Sequence, residues 1–441
     1  MKVLRVIFCC IGIIISYRSG AQELLTPEEA IATALQNNYD IRLSKNDSTI
    51  YAIDYSYANA AFIPTISGQG GLIFNNNNQK QKLADGTDRK AAGVKSKNTS
   101  SSLNLDWVLF DGLKMFVTRN KYKEYVSLGD LIIKNQVTDI VANVVTTYYN
   151  IVRQKQSLKA IEELMVLNRA RLQLAEVKLE VGLGIKPDVL QAKVDLNAQI
   201  SAQYRQQTLI QQQKENLNRL MAVNKGVEYE VQDSIPIDST LLLNEVASDL
   251  ENSSPVILLS KKNIDIARLT LKERKAERWP VVAFQSAYNF NQTNNNSVVN
   301  PFSPLYSQNR GFNYGLTATV PIFNNYVTKR NIKQAQADIN FQTLTLENQL
   351  SILNTNIINA YREYDFQKRA LALEEANIGL AKENVNIAYE RYKLAVTTFI
   401  ELRDAQQSLQ QAYDRLIAAR YDTKVAETEL LRLRGEFIKK R

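Results

Sequence analysis

The distribution of proline is the strongest constraint on the fold of this chain of 441 residues. Nine prolines occur, at positions 27, 64, 187, 236, 255, 280, 301, 304 and 321, so residues 322–441 contain none. A second tract, from Leu113 to Val181, also lacks proline and has Gly129 as its one glycine. Because proline destabilises a helix interior by about 3 kcal/mol, such tracts permit very long helices. The chain is therefore predicted to be mainly α-helical and elongated.

The first residues have the order of a secretory signal peptide. Basic Lys2 and Arg5 precede the apolar stretch Val6–Ile15, and small residues follow, ending at Ala21. A stretch of that length spans only about 15 Å as a helix, against a hydrocarbon core of about 30 Å, which argues against the alternative of a transmembrane anchor. Residues 1–21 are therefore predicted to be a signal peptide.

Composition disfavours several classes of function. The chain has no histidine, and both cysteines lie in the predicted signal peptide, so the mature chain lacks the commonest general base and any thiol. A formal net charge of +9, without basic runs that alternate with aromatics, is typical of a solvated surface rather than a nucleic-acid site. We expect no catalysis, no cofactor, no metal and no nucleic-acid partner. An enzyme that uses carboxylates alone is the third-ranked alternative.

The chain contains an internal repeat. The segment Leu103–Gly112 resembles Leu316–Asn325 at an offset of 213 residues, and the helical tracts that follow keep this offset. Upstream, Pro64 and Pro280 are separated by 216 residues. Chance similarity between amphipathic helices is the alternative, but it does not account for agreement across strands, breakers and helices. The predicted repeats are residues 22–250 and 251–441.

Each repeat contains runs in which apolar and polar residues alternate, and this period of two indicates β-strands. The residues expected on one apolar surface are Leu103, Leu105, Trp107, Phe312, Tyr314 and Leu316. Runs of about 9–11 residues with one apolar face fit transmembrane β-strands. An amphipathic hairpin on a soluble core is the alternative. The predicted hairpins span about residues 64–110 and 280–321.

Two polar segments lie within these hairpins. One begins at Asn75–Asn78, and the other is Asn291–Asn309, rich in asparagine, serine and proline. Both are expected to be extracellular loops.

A helical tract of roughly 65 residues follows each hairpin and would extend for about 100 Å. A helix of that length must pack lengthwise against others. Residues of the last helix recur at alternating spacings of four and three, which predicts a coiled-coil seam. The seam residues are Ala405, Leu409, Ala412, Leu416, Ala419, Thr423, Ala426, Leu430 and Leu433. A dimeric rod is the alternative, but it gives no reason for two hairpins. The helices are predicted at about residues 113–222 and 329–434.

At Leu109-Phe110-Asp111-Gly112, which closes a strand and opens a long helix, the chain resembles the TolC family of outer-membrane efflux proteins. The resemblance extends from Leu25–Asn38 to Leu430–Gly435 and so covers essentially the whole mature chain. It implies a homotrimer whose subunits each give four strands to a shared twelve-stranded β-barrel in outer-membrane lipid. The resemblance further implies that a periplasmic α-helical tunnel continues the barrel, and that residues 223–250 and those after Gly435 belong to a small mixed equatorial part.

The resemblance also implies partners and an adaptor-docking site. The partners are a periplasmic adaptor (membrane fusion) protein and an inner-membrane pump. The turn Val181-Gly182-Leu183-Gly184, here named the first tip, resembles the family's Val-Gly-Leu turn that docks the adaptor. A plain helical-hairpin turn is the alternative. The matching second tip, Leu394-Ala395-Val396-Thr397, departs from the family's glycine-containing form.

The same resemblance assigns a pore constriction to Asp188, Tyr392, Glu401 and Asp404. The family closes its mouth partly through a tyrosine bonded to an aspartate, at positions that match Tyr392 and Asp188, while Thr397 replaces an assisting basic residue. Glu401 and Asp404 match a ring of acidic residues, and their spacing of three places them on one helix face. In a trimer they would form a cation-binding or cation-selective ring. Two surface acids on a solvated helix are the alternative.

The sequence therefore predicts an outer-membrane channel subunit, the passive exit duct of a tripartite efflux or type I secretion system. The alternative from another class is a periplasmic coiled-coil interaction protein without a pore, whose hairpins are docking tips. The apolar strand faces argue against it, because water-facing residues such as Leu103, Trp107 and Phe312 would promote aggregation.

Overall fold

The computed structural model describes residues 24–223, 226, 228–238, 241, 250–300 and 302–438. The predicted signal peptide, residues 1–21, lies outside these ranges. Helices make up most of the described chain, as the long tracts without proline predicted. In the same ranges, no helix is long and apolar enough to cross a membrane.

The helices include two that are exceptionally long. In chain order the α-helices of the described ranges are α1 Pro27–Asn37, α2 Tyr39–Ser56, α3 Lys114–Glu180, α4 Lys186–Met221, α5 Leu250–Ser253, α6 Pro255–Ala276, α7 Val327–Lys393 and α8 Phe399–Arg434. Short 3-10 helices cover Ala58–Phe62 and Glu436–Ile438. Helices α3 and α7 contain 67 residues each. Both follow a hairpin of the repeat.

The strands form one four-stranded sheet and one two-stranded sheet. They are β1 Leu24–Leu25, β2 Thr65–Lys82, β3 Asp88–Phe110, β4 Glu230–Val231, β5 Val281–Asn295 and β6 Tyr306–Thr319. The larger sheet is antiparallel with the order β2-β3-β5-β6, so the hairpins of the two repeats meet through β3 and β5. In the smaller sheet β1 and β4 are parallel.

The predicted extents of the two polar loops are wrong. Strand β2 continues past Asn75, which pairs with Ser96, and reaches Lys82, so its connection to β3 is only residues 83–87. Strand β5 likewise continues to Asn295, and β6 begins at Tyr306. Backbone pairing satisfies the peptide N–H and C=O groups whatever the side chains are, so runs of asparagine did not end these strands.

One unit of the molecule contains the four-stranded sheet and the helix segments next to it. It comprises Ser48–Gly129 and Ser260–Thr345. Gly129 lies within α3, where an added Cβ atom would come within 2.7 Å of the Ser48 hydroxyl oxygen. Glycine therefore permits the close approach of α2 to α3. An ion pair of 2.7 Å between Lys262 and Glu124 joins α6 to α3.

The other unit is helical and contains the predicted seam. It comprises the described residues up to Asp47, Asp130–Leu259 and those from Leu346 onward. Every seam residue of α8 from Ala405 to Leu433 is buried, which confirms the spacing argument. Leu353, Ile357 and Tyr364 of α7 pack against the later part of this seam.

A second core of this unit surrounds the middle of α3. Val144, Ile151 and Leu217 are fully buried there, so α3 packs against α4. The Tyr148 hydroxyl donates a hydrogen bond of 2.8 Å to the Leu25 carbonyl and accepts one of 3.1 Å from a backbone N–H after β4. The two-stranded sheet is thereby attached to the helices.

Candidate functional site

The four-stranded sheet has one apolar and one polar face. Leu103 pairs with Tyr288, which pairs with Phe312 on the next strand, and paired residues of a sheet share a face. Two further rows of this face are Leu105, Ser286 and Tyr314, and Trp107, Phe284 and Leu316. The opposite face has the rows Asn104, Ala287 and Asn313, and Asp106, Gln285 and Gly315. All six residues predicted to be apolar and outward therefore lie on one surface.

No described residue of the single chain covers this apolar face or either edge of the sheet. Phe312 is 65% exposed and Tyr314 is 73% exposed. Among the described strands, β2 and β6 each have a neighbour on one side only. A large contiguous apolar surface marks contact with lipid or protein, and an open edge is a template for pairing with another chain.

The first tip is a compact turn that displays apolar side chains. Gly182 has φ +76°, which places the backbone in the left-handed region that ends many helices. The Leu183 N–H donates to the Lys178 carbonyl at 2.8 Å, closing α3. Val181 and Leu183 are 62% and 72% exposed, so the turn presents them outward. Helix α4 restarts with Pro187 in its first turn.

The second tip has the same backbone form without a glycine. Ala395 has φ +57°, and the Val396 N–H donates to the Arg391 carbonyl at 2.9 Å. The Thr398 hydroxyl then accepts from the Glu401 N–H at 3.2 Å and caps α8. Leu394 and Val396 are exposed, as are the apolar residues of the first tip. The departure from the family's glycine did not change the turn.

Asp188 and Tyr392 lie near a buried amine, that of Lys178. The Lys178 ammonium donates to the Tyr392 carbonyl oxygen and lies 3.9 Å from the centre of its ring. Burial raises the pKa of Asp188, and the positive charge of Lys178 opposes that rise. Burial likewise raises the pKa of the Tyr392 hydroxyl, and the charge of Asp188 adds to this effect. Within the described ranges, no hydrogen bond joins the Tyr392 hydroxyl to Asp188.

Glu401 and Asp404 are exposed on the first turns of α8. Arg403 lies between them in sequence, but its side chain contacts α4, where its Nε atom is 3.2 Å from an oxygen of Asp195. Both acidic side chains therefore lie on the surface of the single chain.

Comparison with known proteins assigns the family. The family described as outer membrane efflux protein matches residues 30–223 and 246–436, which include both repeats. The chain belongs to this family. Membership confirms the resemblance to TolC-like proteins and the predicted outer-membrane location of this efflux protein. It supports the efflux function and does not support the coiled-coil alternative.

This efflux protein is similar to named relatives along most of its length. It is 22% identical over 421 residues to the probable efflux pump outer membrane protein TtgC of Pseudomonas putida, covering 92% of this chain and 82% of that protein. It is 19% identical over 340 residues to the outer membrane protein TolC of Escherichia coli, covering 76% and 69%. The crystal structure of the outer membrane protein VceC from Vibrio cholerae has the same fold, with a TM-score of 0.74, 14% identity and coverage of 93% and 96%.

Sequence reasoning missed Lys178 of this efflux protein. A basic residue in the last turn of a helix is common, because it interacts favourably with the helix dipole. The repeat contained one signal that these positions differ. Lys178 and Arg391 are equivalent at the offset of 213, but a tyrosine follows only Arg391. The burial of Lys178 against that tyrosine depends on the packing of α3 on α7.

Proposed function

We propose that three copies of this efflux protein assemble into a passive exit duct. The observation that carries the proposal is the four-stranded sheet, which combines an apolar face with two open edges. Four strands cannot close a barrel, and unpaired strand edges are not viable in lipid because their N–H and C=O groups have no partner. Pairing β6 of one copy with β2 of the next would remove every edge and give a twelve-stranded barrel.

In this assembly the apolar row Leu103, Tyr288 and Phe312 faces lipid, and the polar row Asn104, Ala287 and Asn313 faces the interior. The long helices of the three copies form a periplasmic tunnel. An inner-membrane pump supplies the energy, and a periplasmic adaptor docks on the exposed apolar residues of the first tip. The second tip has the same backbone and similar exposed residues, so we extend the docking surface to Leu394 and Val396.

Lysine substitutions on the two faces of the sheet test the proposal. Leu103→Lys and Phe312→Lys should each destabilise the membrane-inserted protein by about 2–4 kcal/mol, because lysine is costly where it faces lipid. Asn104→Lys and Asn313→Lys are matched controls on the polar face and should insert normally. The measurement is the fraction of folded protein in outer membranes.

Imaging of the wild-type protein extracted by detergent provides the direct check. A hollow particle with three-fold symmetry is the expected result. Equal insertion of all four lysine variants, or a solid particle, would contradict the duct.

We also propose that Glu401 and Asp404 of three subunits form the cation-binding constriction. Their exposure on one face of α8 supports this role, since neither side chain is buried against its own chain. Converging carboxylates favour cations in a pore. Replacing both by alanine should weaken block by divalent cations at least about tenfold in planar bilayers, a loss of about 1.4 kcal/mol of binding free energy. Glu383→Ala, on the exposed surface of α7, is the control and should leave the block unchanged.

A further inference from the structure

A polar cavity lies where α3, α4 and α8 meet, away from the tips. Its volume is about 320 Å³. The lining residues on which the argument depends are Arg171, Asp195, Gln199, Arg403 and Gln406. Its size falls near the lower end of the range of small-molecule sites in proteins.

The charges at this cavity are unbalanced. The Arg171 side chain is 2% exposed, and its guanidinium nitrogen lies 2.6 Å from Oδ2 of Asp195. The Nε atom of Arg403 lies 3.2 Å from the same oxygen. The other oxygen, Oδ1, accepts a hydrogen bond of 2.8 Å from Gln191. Two guanidinium groups thus share one carboxylate, which leaves one positive charge among the residues that line the cavity.

Several buried polar atoms at the cavity have no hydrogen-bond partner among the described residues. Gln406 is 5% exposed, and neither its amide nitrogen nor its amide oxygen has a hydrogen-bond partner among the described residues. The Nε atom of Arg171 and the side-chain oxygen of Gln199 are likewise unpaired within those residues. Proteins rarely leave buried polar groups unsatisfied. The unpaired donors, Arg171 Nε and the Gln406 amide nitrogen, can bind an anion, whereas the unpaired amide oxygens of Gln199 and Gln406 can bind water or a protonated ligand oxygen.

The geometry also leaves a way into the cavity. The Phe399 ring covers one side of the Arg171 guanidinium, with 5.0 Å between the ring centre and the Cζ atom. Gln407 and Gln410, which also line the cavity, are exposed, and the Arg403 side chain is 36% exposed. The cavity therefore has a buried charged floor and a solvated entrance.

We propose that this cavity binds a small oxyanion, a carboxylate or a phosphate. Such a ligand accepts hydrogen bonds from the Arg171 Nε, the Arg403 guanidinium and the Gln406 amide, and it balances the residual positive charge. Arginine suits both anions because its planar donors match their oxygens. The bound anion connects α8 to α3 and α4, and so stabilises the packing of the two helical hairpins.

Calorimetric titration of the full-length protein in detergent tests this site. Inorganic phosphate and succinate are titrated separately at constant ionic strength in chloride buffer. At least one should bind saturably, and comparison of the two identifies the preferred oxyanion. Gln406→Leu keeps the side-chain size but removes the amide, and Arg403→Gln removes the charge at the entrance. Each should weaken binding at least about tenfold.

Arg415→Gln is the control, because Arg415 lies on the same helix and pairs with Glu374 outside the cavity. It should bind like the wild type. Absence of saturable binding by both anions would overturn the proposal, as would equal binding by Gln406→Leu. Thermal unfolding distinguishes a ligand site from a cavity that holds only water. If the cavity holds only water, phosphate would not raise the unfolding midpoint of the wild type, and Gln406→Leu would raise the midpoint in every buffer. None of these outcomes depends on the formation of a duct.

Discussion

The two tips of the repeat share a backbone turn but differ in the residues that build it. Gly182 and Ala395 occupy equivalent left-handed positions, with φ of +76° and +57°. In each tip the next N–H donates back to the helix, to the carbonyl of Lys178 or of Arg391. The end of a long helical hairpin therefore determines the turn, and glycine only makes that turn less costly.

The residues before each tip show where the copies have diverged. Lys178 is buried, with its ammonium against Tyr392, whereas its equivalent Arg391 is exposed. The first copy thus supplies the cation, and the second copy supplies the carbonyl and the ring. Equivalent positions of the two repeats therefore have different roles in the contact between them.

Removing the two basic residues tests this asymmetry and should have the largest effect. Lys178→Met should lower the free energy of unfolding by about 1–3 kcal/mol, because the Tyr392 carbonyl loses its charged donor and keeps the backbone N–H of Ala395. Arg391→Met, the matched control, should change it by less than about 0.5 kcal/mol, as surface substitutions usually do. Urea unfolding in detergent provides the measurement. Equal losses in both variants would mean that the copies are equivalent at this position.

Exchange of glycine and alanine between the tips tests the shared turn. Gly182→Ala should destabilise the protein by about 1 kcal/mol, because an L-residue with a side chain pays that cost in the left-handed region. Ala395→Gly should stabilise the protein, but by a smaller amount, since glycine also increases the conformational freedom of the unfolded chain. Thermal unfolding of both variants gives the comparison. Effects of the same sign would show that the two turns differ.

The pH dependence of Asp188 should be the smallest effect. Burial raises the pKa of its carboxyl above the ordinary 3.8, with Lys178 opposing the rise. A raised pKa in the folded state favours the protonated form, so its contribution to stability is present at low pH and is lost as pH rises through the folded-state value. The unfolding midpoint of the wild type should therefore fall relative to that of Asp188→Asn as pH increases above 3.8.

Asn384→Ala is the control for this titration, because it changes an exposed residue of α7 that has no titratable group. Its difference from the wild type should stay constant over the same pH range. If the unfolding midpoint of the wild type instead rose relative to that of Asp188→Asn with increasing pH, the result would contradict the burial of the Asp188 carboxyl.

Much of the fold could be predicted because its signals are local or periodic. The absence of proline between Leu113 and Val181 permitted α3, and alternating apolar residues such as Leu103 and Leu105 predicted one face of the sheet. The spacing of Ala405 and Leu409 predicted which side of α8 is buried. Each signal depends on the geometry of a single helix or strand.

The sites were less predictable, because they combine residues from elements far apart in the chain. Asp188 and Tyr392 were placed only by resemblance to a family, and their roles in the constriction stay predictions. Lys178 resembled an ordinary helix-terminal lysine until α7 packed beside it. The cavity at Arg171 and Gln406 had no sequence signal, since glutamine and arginine are common on exposed helices.

By itself, the sequence determined the repeat, the long helices and the two faces of the sheet, because proline geometry and residue periodicity act within one element. Only the tertiary structure decided that β3 pairs with β5, that β2 continues past Asn75, and that Lys178 and Arg171 are buried. These outcomes depend on cross-strand hydrogen bonds and on desolvation by neighbouring helices. Cross-strand pairing and desolvation depend on which residues become neighbours in the folded chain, and the local sequence of one segment does not specify those neighbours.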